Sequence, residues 1–381
     1  MSLQEIERRE QLTVHEFVRD FLVPNVPVIL GPSFTSDWPA LRDWVTEEKT
    51  PDFDFLASLY GDCTVPVAEC DTIYFSDQKR TEMRFSEFIE QWRAMPEAKK
   101  LYCKDWHFTR DSAYRAYEPP AVLSNDWVNM YCDMKGKGGG GGDDFRFCYL
   151  GGRGTWTPFH EDVWRSYSWS ANVCGRKQWT LVPPGQNALF TDGLGNWVHD
   201  LRAYDATKFP RLNELRTIEI VQEAGETIFV PSGWWHQVVN LEDTISINHN
   251  WGNEFNLACM CDRLQEDLRR VRWALRDVAD MDAFDEYAQG VLKADNGMNY
   301  AEFVAFIDAM VDVYAGKERG WLQAADAYFR TEESVRGALL KIDAVLGRLL
   351  DDPETTRISG LCNAISQTRS KVQLSFPLKT G

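Results

Sequence analysis

Apolar residues change their spacing twice along the chain. Through the first hundred positions, short helical and extended pieces alternate. The run "VHEFVRDFLVPN" predicts a helix stopped by proline, and "VPVILG" a buried strand ended by glycine. In "MRFSEFIEQWRAM", Phe85, Phe88, Ile89 and Trp92 recur at helical spacing, so this helix packs through one face. Between 145 and 251 the pattern becomes a series of short runs: "FRFCYLGG", "YSWSANVCG", "KQWTLVPPG", "TIEIVQEAG", "ETIFVPSG" and "TISINHNW". They are rich in aromatic and β-branched residues and are punctuated by Gly, Pro or Asn, which predicts antiparallel strands. Their spacing predicts a mainly β fold with α elements: a double-stranded β-helix (jelly-roll) core preceded by N-terminal α/β elements.

Beyond 255 the strand pattern stops. Leu257, Met260, Leu264, Leu268, Val271, Leu275 and Val278 recur every three or four residues, leaving a charged opposite face. "NYAEFVAFIDAMVDVY" follows, with Asn299 and Glu302 spaced as a capping box, and then the helical run "EESVRGALLKIDAVLGRLL". The chain is therefore read as a β domain with its N-terminal flanking elements over 1–255 and a helical region over 256–381. Those helices pack on the core or form a dimer contact; their faces do not choose. The run "KGKGGGGG" at 135–142 reads as a flexible connection, because no Gly-Lys-Ser/Thr follows it to make a phosphate loop.

Composition narrows the partners. With 44% hydrophobic and 13% aromatic residues, 381 positions can fill a sizeable core. A net charge of −17 argues against nucleic acid and anionic membrane, which need a positive field, and accommodates a basic protein partner. The opening "MSLQEIERREQ" is charged where a signal peptide is apolar, and no run reaches the roughly 18 apolar residues that cross a bilayer. A cytoplasmic protein, with the nucleus as second compartment, is the expectation. Nine cysteines without regular spacing fit reduced thiols, and Cys259 and Cys261 fit helix packing better than metal binding.

Candidate chemistry begins in "GTWTPFHEDVWRSYSW", which holds one of six histidines. Strand residues i and i+2 share a face, so His160 and Asp162 are expected to present to one ion while Glu161 faces away. A third ligand must come from elsewhere. His15, His107 and His199 sit in charged, aromatic or polar surroundings that read as structural or solvated. His236 instead follows "ETIFVPSGWW", a buried strand and tight turn. A lone histidine there is usually a satisfied core residue; beside an H-x-D on an earlier strand it becomes the third ligand. Two imidazoles and a carboxylate on one face leave other positions open, which suits Fe(II) and dioxygen, although a zinc hydrolase shares these ligand types. Lys177 lies in an apolar, aromatic run where an unpaired ammonium calls for an anion, unless it simply occupies an exposed strand face. Thr157 offers a hydroxyl to the same anion.

The segments "TPFHED", "GRKQWTLVPPG" and "FVPSGWWHQVVNLEDTISINHNW" resemble the jumonji C (JmjC) class of Fe(II)- and 2-oxoglutarate-dependent oxygenases, whose core is cupin-like. "VPVILGPSFTSDWPALRDW" is similar to the segment preceding that core, so the resemblance covers about residues 10 to 255. "PDFDFLASLYGDCTVPVA", "LYCKDWHF" and "RSYSWSANVCGRKQW" further resemble a lysyl hydroxylase of the class that acts on a translation termination (release) factor. The resemblance implies that His160, Asp162 and His236 ligate iron and that Lys177 and Thr157 hold the distal carboxylate of 2-oxoglutarate. It also places Asn250 against that cofactor and makes Tyr74 a further hydroxyl donor. Where several relatives carry asparagine after the tryptophan matching Trp169, this chain has Ser170, leaving the contact to the inner carboxylate to Asn172 or water. The implied reaction converts 2-oxoglutarate and O2 to succinate and carbon dioxide and places one oxygen on a substrate C–H bond. Trp156, Trp164, Tyr167, Trp234 and Trp235 serve as walls against water or as core. Two other readings stand beside the hydroxylase: histone N-methyl-lysine demethylation by the same chemistry, and a non-catalytic interaction protein on the same fold. The lack of a cysteine-rich finger or reader module favours the hydroxylase.

Overall fold

A computed structural model describes residues 5–74, 77–94, 100–137, 144–316 and 325–375. The glycines at 138–142, read above as a flexible connection, lie outside the described residues. Thirteen strands run in chain order among the described residues: β1 (Glu7–Arg9), β2 (Val28–Leu30), β3 (Thr64–Tyr74), β4 (Asp77–Arg84), β5 (Leu101–Trp106), β6 (Arg146–Gly151) and β7 (Trp156–His160), then β8 (Tyr167–Cys174), β9 (Lys177–Val182), β10 (Ile218–Gln222), β11 (Thr227–Val230), β12 (Trp235–Asn240) and β13 (Thr244–Trp251).

They form a nine-stranded sheet, β1-β2-β11-β8-β13-β6-β5-β3-β4, and a four-stranded sheet, β10-β9-β12-β7. The strands from β6 to β13 divide equally between the two sheets, which is the double-stranded β-helix expected from the spacing of the runs. The chain belongs to the mixed α/β class with this β sandwich as its core. The N-terminal strands extend the larger sheet at both edges rather than forming a separate layer.

Period-two alternation decides which side chains meet. Trp179, Leu181, Ile218, Ile220 and Val238 from the small sheet pack with Ile29, Ile228 and Val230 from the large one. On the opposite face of the small sheet, Phe159, Val182 and Trp235 are covered by Phe190, Val198, Phe209 and Leu212 from the long β9–β10 connection. Trp235 is thus core on the outer face rather than a wall beside the candidate ligands, and Trp234 joins the inter-sheet cluster, its Nε1 donating to the Asn25 carbonyl. The helix Phe85–Arg93 buries Phe85, Phe88, Ile89 and Trp92, the face its spacing predicts.

The described residues fall into two compact units. One draws on 1–120, 143–162 and 167–250; the other on 121–142, 163–166 and 251–381. The boundary read from sequence, between 255 and 256, falls inside the second unit, because side chains far upstream pack with its helices. Trp127 donates from Nε1 to the Tyr314 hydroxyl (3.1 Å), and Trp164 donates to the Asn296 carbonyl (2.8 Å). In this unit Asn299 and Glu302 form the predicted capping box at the start of the helix Tyr300–Tyr314. The helix Leu257–Ala274 ends before Leu275 and passes into a 3-10 turn over Arg276–Val278, leaving Val278 exposed instead of on the apolar face. Among the described residues, no helix is long and apolar enough to cross a membrane.

Candidate metal centre

β7 and β12 are antiparallel neighbours, and their register sets His160 opposite His236 with ring centroids 4.3 Å apart. Asp162 lies just past the end of β7. Strand alternation therefore does not deliver it, contrary to the reading of H-x-D as a continuous strand; two hydrogen bonds do. Ser168 Oγ donates to Asp162 Oδ2 (2.7 Å) and Asn250 Nδ2 donates to Asp162 Oδ1 (2.8 Å). One ligand atom from each of His160, Asp162 and His236 then lies within 4.8 Å of the others, the one grouping of three such side chains found among the described residues.

Both rings have their tautomers fixed by backbone oxygens. His160 Nδ1 is 2.8 Å from the Pro158 carbonyl and His236 Nδ1 is 3.1 Å from that of Trp234. A carbonyl can only accept, so each Nδ1 carries the proton and each Nε2 keeps its lone pair for a metal. Burial, reinforced by the neighbouring His236 and opposed by Asp162, pushes the His160 imidazole down to about 4, so it is neutral at physiological pH. Two imidazoles presenting Nε2 and a carboxylate fit a divalent first-row ion with open coordination positions.

A bulge brings Thr157 to the same face. Thr157 pairs with Val238 and His160 with His236, so Pro158 and Phe159 together oppose Gln237. Without that extra residue, positions three apart on a strand would point to opposite faces.

Lys177, the first residue of β9, is 2% exposed. Its Nζ donates to Ser246 Oγ (2.7 Å) and Tyr102 Oη (3.4 Å) and sits 5.9 Å from the centre of the Tyr149 ring. These partners are neutral, and burial pushes the ammonium down to about 7. An anion beside it would restore the charge of this buried ammonium.

The other sequence-selected residues lie as follows. Asn250, expected against the cofactor, has its amide on Asp162. Tyr74 ends β3 at 64% exposure, and the tyrosines beside Lys177 are Tyr102 and Tyr149. Ser170 Oγ donates to Asn248 Oδ1 (3.1 Å), while Asn172 Nδ2 donates to the Gly175 carbonyl (2.6 Å) in the β8–β9 turn. Sequence reasoning passed over Ser168, Tyr102, Tyr149 and Ser246; the one available signal was that 149, 168 and 246 fall in predicted strands.

Comparison with known proteins agrees with this arrangement. The cupin-like domain family matches residues 14–257. The 2-oxoglutarate and iron-dependent oxygenase JMJD4 of Gallus gallus is 42% identical over 319 residues, covering 81% of this chain and 74% of the relative. JMJD4 of Homo sapiens is 42% identical over 310 residues, covering 78% and 73% respectively. The arginine-specific demethylase JMJ20 of Arabidopsis thaliana is 43% identical over 314 residues, covering 78% and 68%. The chain therefore belongs to the cupin-like JmjC family, among the relatives of JMJD4.

Proposed function

We propose that this protein is an Fe(II)- and 2-oxoglutarate-dependent dioxygenase that hydroxylates a lysine side chain of a translation release factor. The observation that carries the oxygenase reading is the pairing of the His160–Asp162–His236 grouping with a buried Lys177 that has only neutral partners. A zinc hydrolase would use the first and has no need of the second. The names of the JMJD4 relatives, 2-oxoglutarate and iron-dependent oxygenases, support the same choice.

In this reading His160, Asp162 and His236 hold the iron, and Ser168 and Asn250 keep the Asp162 carboxylate turned toward it. Lys177 and Thr157 receive the distal carboxylate of 2-oxoglutarate, with Tyr102 and Ser246 orienting the ammonium. Iron and 2-oxoglutarate, when bound, supply the oxidising power that transfers one atom of O2 to a C–H bond as the 2-oxoacid leaves as succinate and carbon dioxide. The rest is the chain's own contribution. The two Nδ1–H···O=C bonds keep both imidazoles in the ligating tautomer, and the Asp162 hydrogen bonds limit its rotation. Burial of Lys177 makes a carboxylate the partner that restores its charge.

A net charge of −17 suits a basic protein segment as substrate rather than nucleic acid or membrane, and a release factor would place the reaction in the cytoplasm. A second reading, demethylation, is favoured by one observation: JMJ20, a relative of equal similarity, is named an arginine-specific demethylase. Mass spectrometry of release-factor and methylated peptides after incubation separates the two. Gain of one oxygen on an unmethylated lysine is the expected result. Loss of a methylene unit from a methylated residue, with unmethylated peptide unchanged, would replace hydroxylation by demethylation.

A further inference from the structure

We propose that Lys104 is a second anion-binding group of this site and donates to the inner, metal-proximal carboxylate of 2-oxoglutarate while Lys177 takes the distal one. The inference rests on reading the site as a 2-oxoglutarate site.

Lys104 is 3% exposed in β5. It stands two residues after Tyr102, whose hydroxyl meets Lys177, so strand alternation places both on one face, about 7 Å apart along the strand. A five-carbon dicarboxylate spans a comparable length. Just beyond Lys104 the strand bulges: Cys103 pairs with Leu150 and Trp106 with Cys148, so Lys104 and Asp105 share the position opposite Tyr149. Asp105 adopts a left-handed φ of 60° and turns to Arg80 (2.6 Å) and the Tyr149 hydroxyl. The bulge thus spends the acidic neighbour on other partners and leaves the ammonium facing inward.

One of the three Lys104 donors is used, by Gln78 Oε1 at 2.9 Å. Gln78 is itself fixed, since its Nε2 donates to the Cys70 carbonyl (3.2 Å) and the Trp156 carbonyl (3.1 Å). Trp156 is the first residue of β7, so this amide ties Lys104 to the strand that carries Thr157 and His160. Burial, against the opposing pull of Asp105, lowers the pKa of Lys104. The Ser170 hydroxyl donates to Asn248 and the Asn172 amide to the Gly175 carbonyl, so both are engaged elsewhere. The buried Lys104 ammonium keeps two donors for a carboxylate.

The test is 2-oxoglutarate binding to the anaerobic Fe(II) protein, followed by the visible metal-to-ligand charge-transfer band, which needs no turnover. Lys104→Met and Lys104→Gln should raise Kd about ten- to a hundred-fold, as loss of a charge-assisted hydrogen bond does, with Fe(II) affinity and thermal unfolding near wild type. Lys104→Arg, which keeps the charge, should bind within a few-fold of wild type. The ligand 2-oxobutyrate keeps the inner oxo-carboxylate and lacks the distal carboxylate; it should lose affinity with Lys104→Met and be indifferent to Lys177→Met. Wild-type Kd in both neutral variants, or a Lys104 effect that disappears with 2-oxobutyrate, overturns the assignment and leaves the oxygenase reading intact. Failure of the wild-type protein to bind 2-oxoglutarate overturns the oxygenase reading itself.

Discussion

Replacing Lys177 by methionine should stabilise the ligand-free protein, although the residue lies at the heart of the proposed cofactor site. Burial lowers its pKa from 10.5 to about 7, with only Ser246, Tyr102 and the Tyr149 ring as partners. The unfolded chain keeps that proton up to about pH 10.4, and the folded protein releases it near 7. Between those values the unfolded state binds more protons, so stability rises with pH across the window and the penalty is complete below it. At 1.36 kcal/mol per pH unit the difference corresponds to roughly 5 kcal/mol. Methionine gives up the hydrogen bond to Ser246, about 1–2 kcal/mol. Lys177→Met should therefore gain about 3 kcal/mol at pH 6 and close to nothing at pH 9. Urea unfolding without ligand at the two pH values measures this. Added 2-oxoglutarate should then stabilise the wild type by mass action more than it stabilises the variant. A variant destabilised equally at pH 6 and pH 9 would refute a desolvated, anion-seeking Lys177.

Further consequences concern the ligand frame and the scaffold. Ser168→Ala and Asn250→Ala each remove one hydrogen bond from Asp162 and should weaken Fe(II) binding about ten- to a hundred-fold in a chelator competition titration; unchanged affinity would show that neither holds the carboxylate in place. Gly175 turns β8 into β9 at a φ of 71°, and an added Cβ would lie 2.2 Å from the Asp243 carbonyl oxygen. Gly175→Ala should cost more than about 2 kcal/mol in equilibrium unfolding, and wild-type stability would contradict that contact. Asn299→Ala breaks the capping box of Tyr300–Tyr314 and should cost about 1 kcal/mol, seen as a lower unfolding midpoint.

What could be read in advance followed from local rules. The strand runs, the helical faces, the capping box and the H-x-D with its distant histidine all depend on spacing within one segment, and spacing is written in the chain. What escaped depends on register between segments. The β7 bulge that turns Thr157 toward His160 exists only as a mismatch with β12. Asp162 looked like a strand residue because the end of β7 at His160 has no local signal, and its true support comes from Ser168 and Asn250, whose pairing with it is tertiary. Tyr102 and Tyr149 are hidden for a similar reason: their closeness to Lys177 is a tertiary fact that the residues around them do not record. Lys104 passed unnoticed in "LYCKDW" because alternation alone does not tell a buried lysine from an exposed one.

Whether His160, Asp162 and His236 build an iron- and 2-oxoglutarate-dependent centre is decided by succinate formation from 2-oxoglutarate. The protein is reconstituted with Fe(II), supplied with O2 and release-factor peptide, and compared with Asp162→Ala. Succinate from the wild type, none from the variant and identical circular dichroism for both is the predicted result. Equal succinate from the two proteins, or none from an iron-loaded wild type with any peptide, would contradict it.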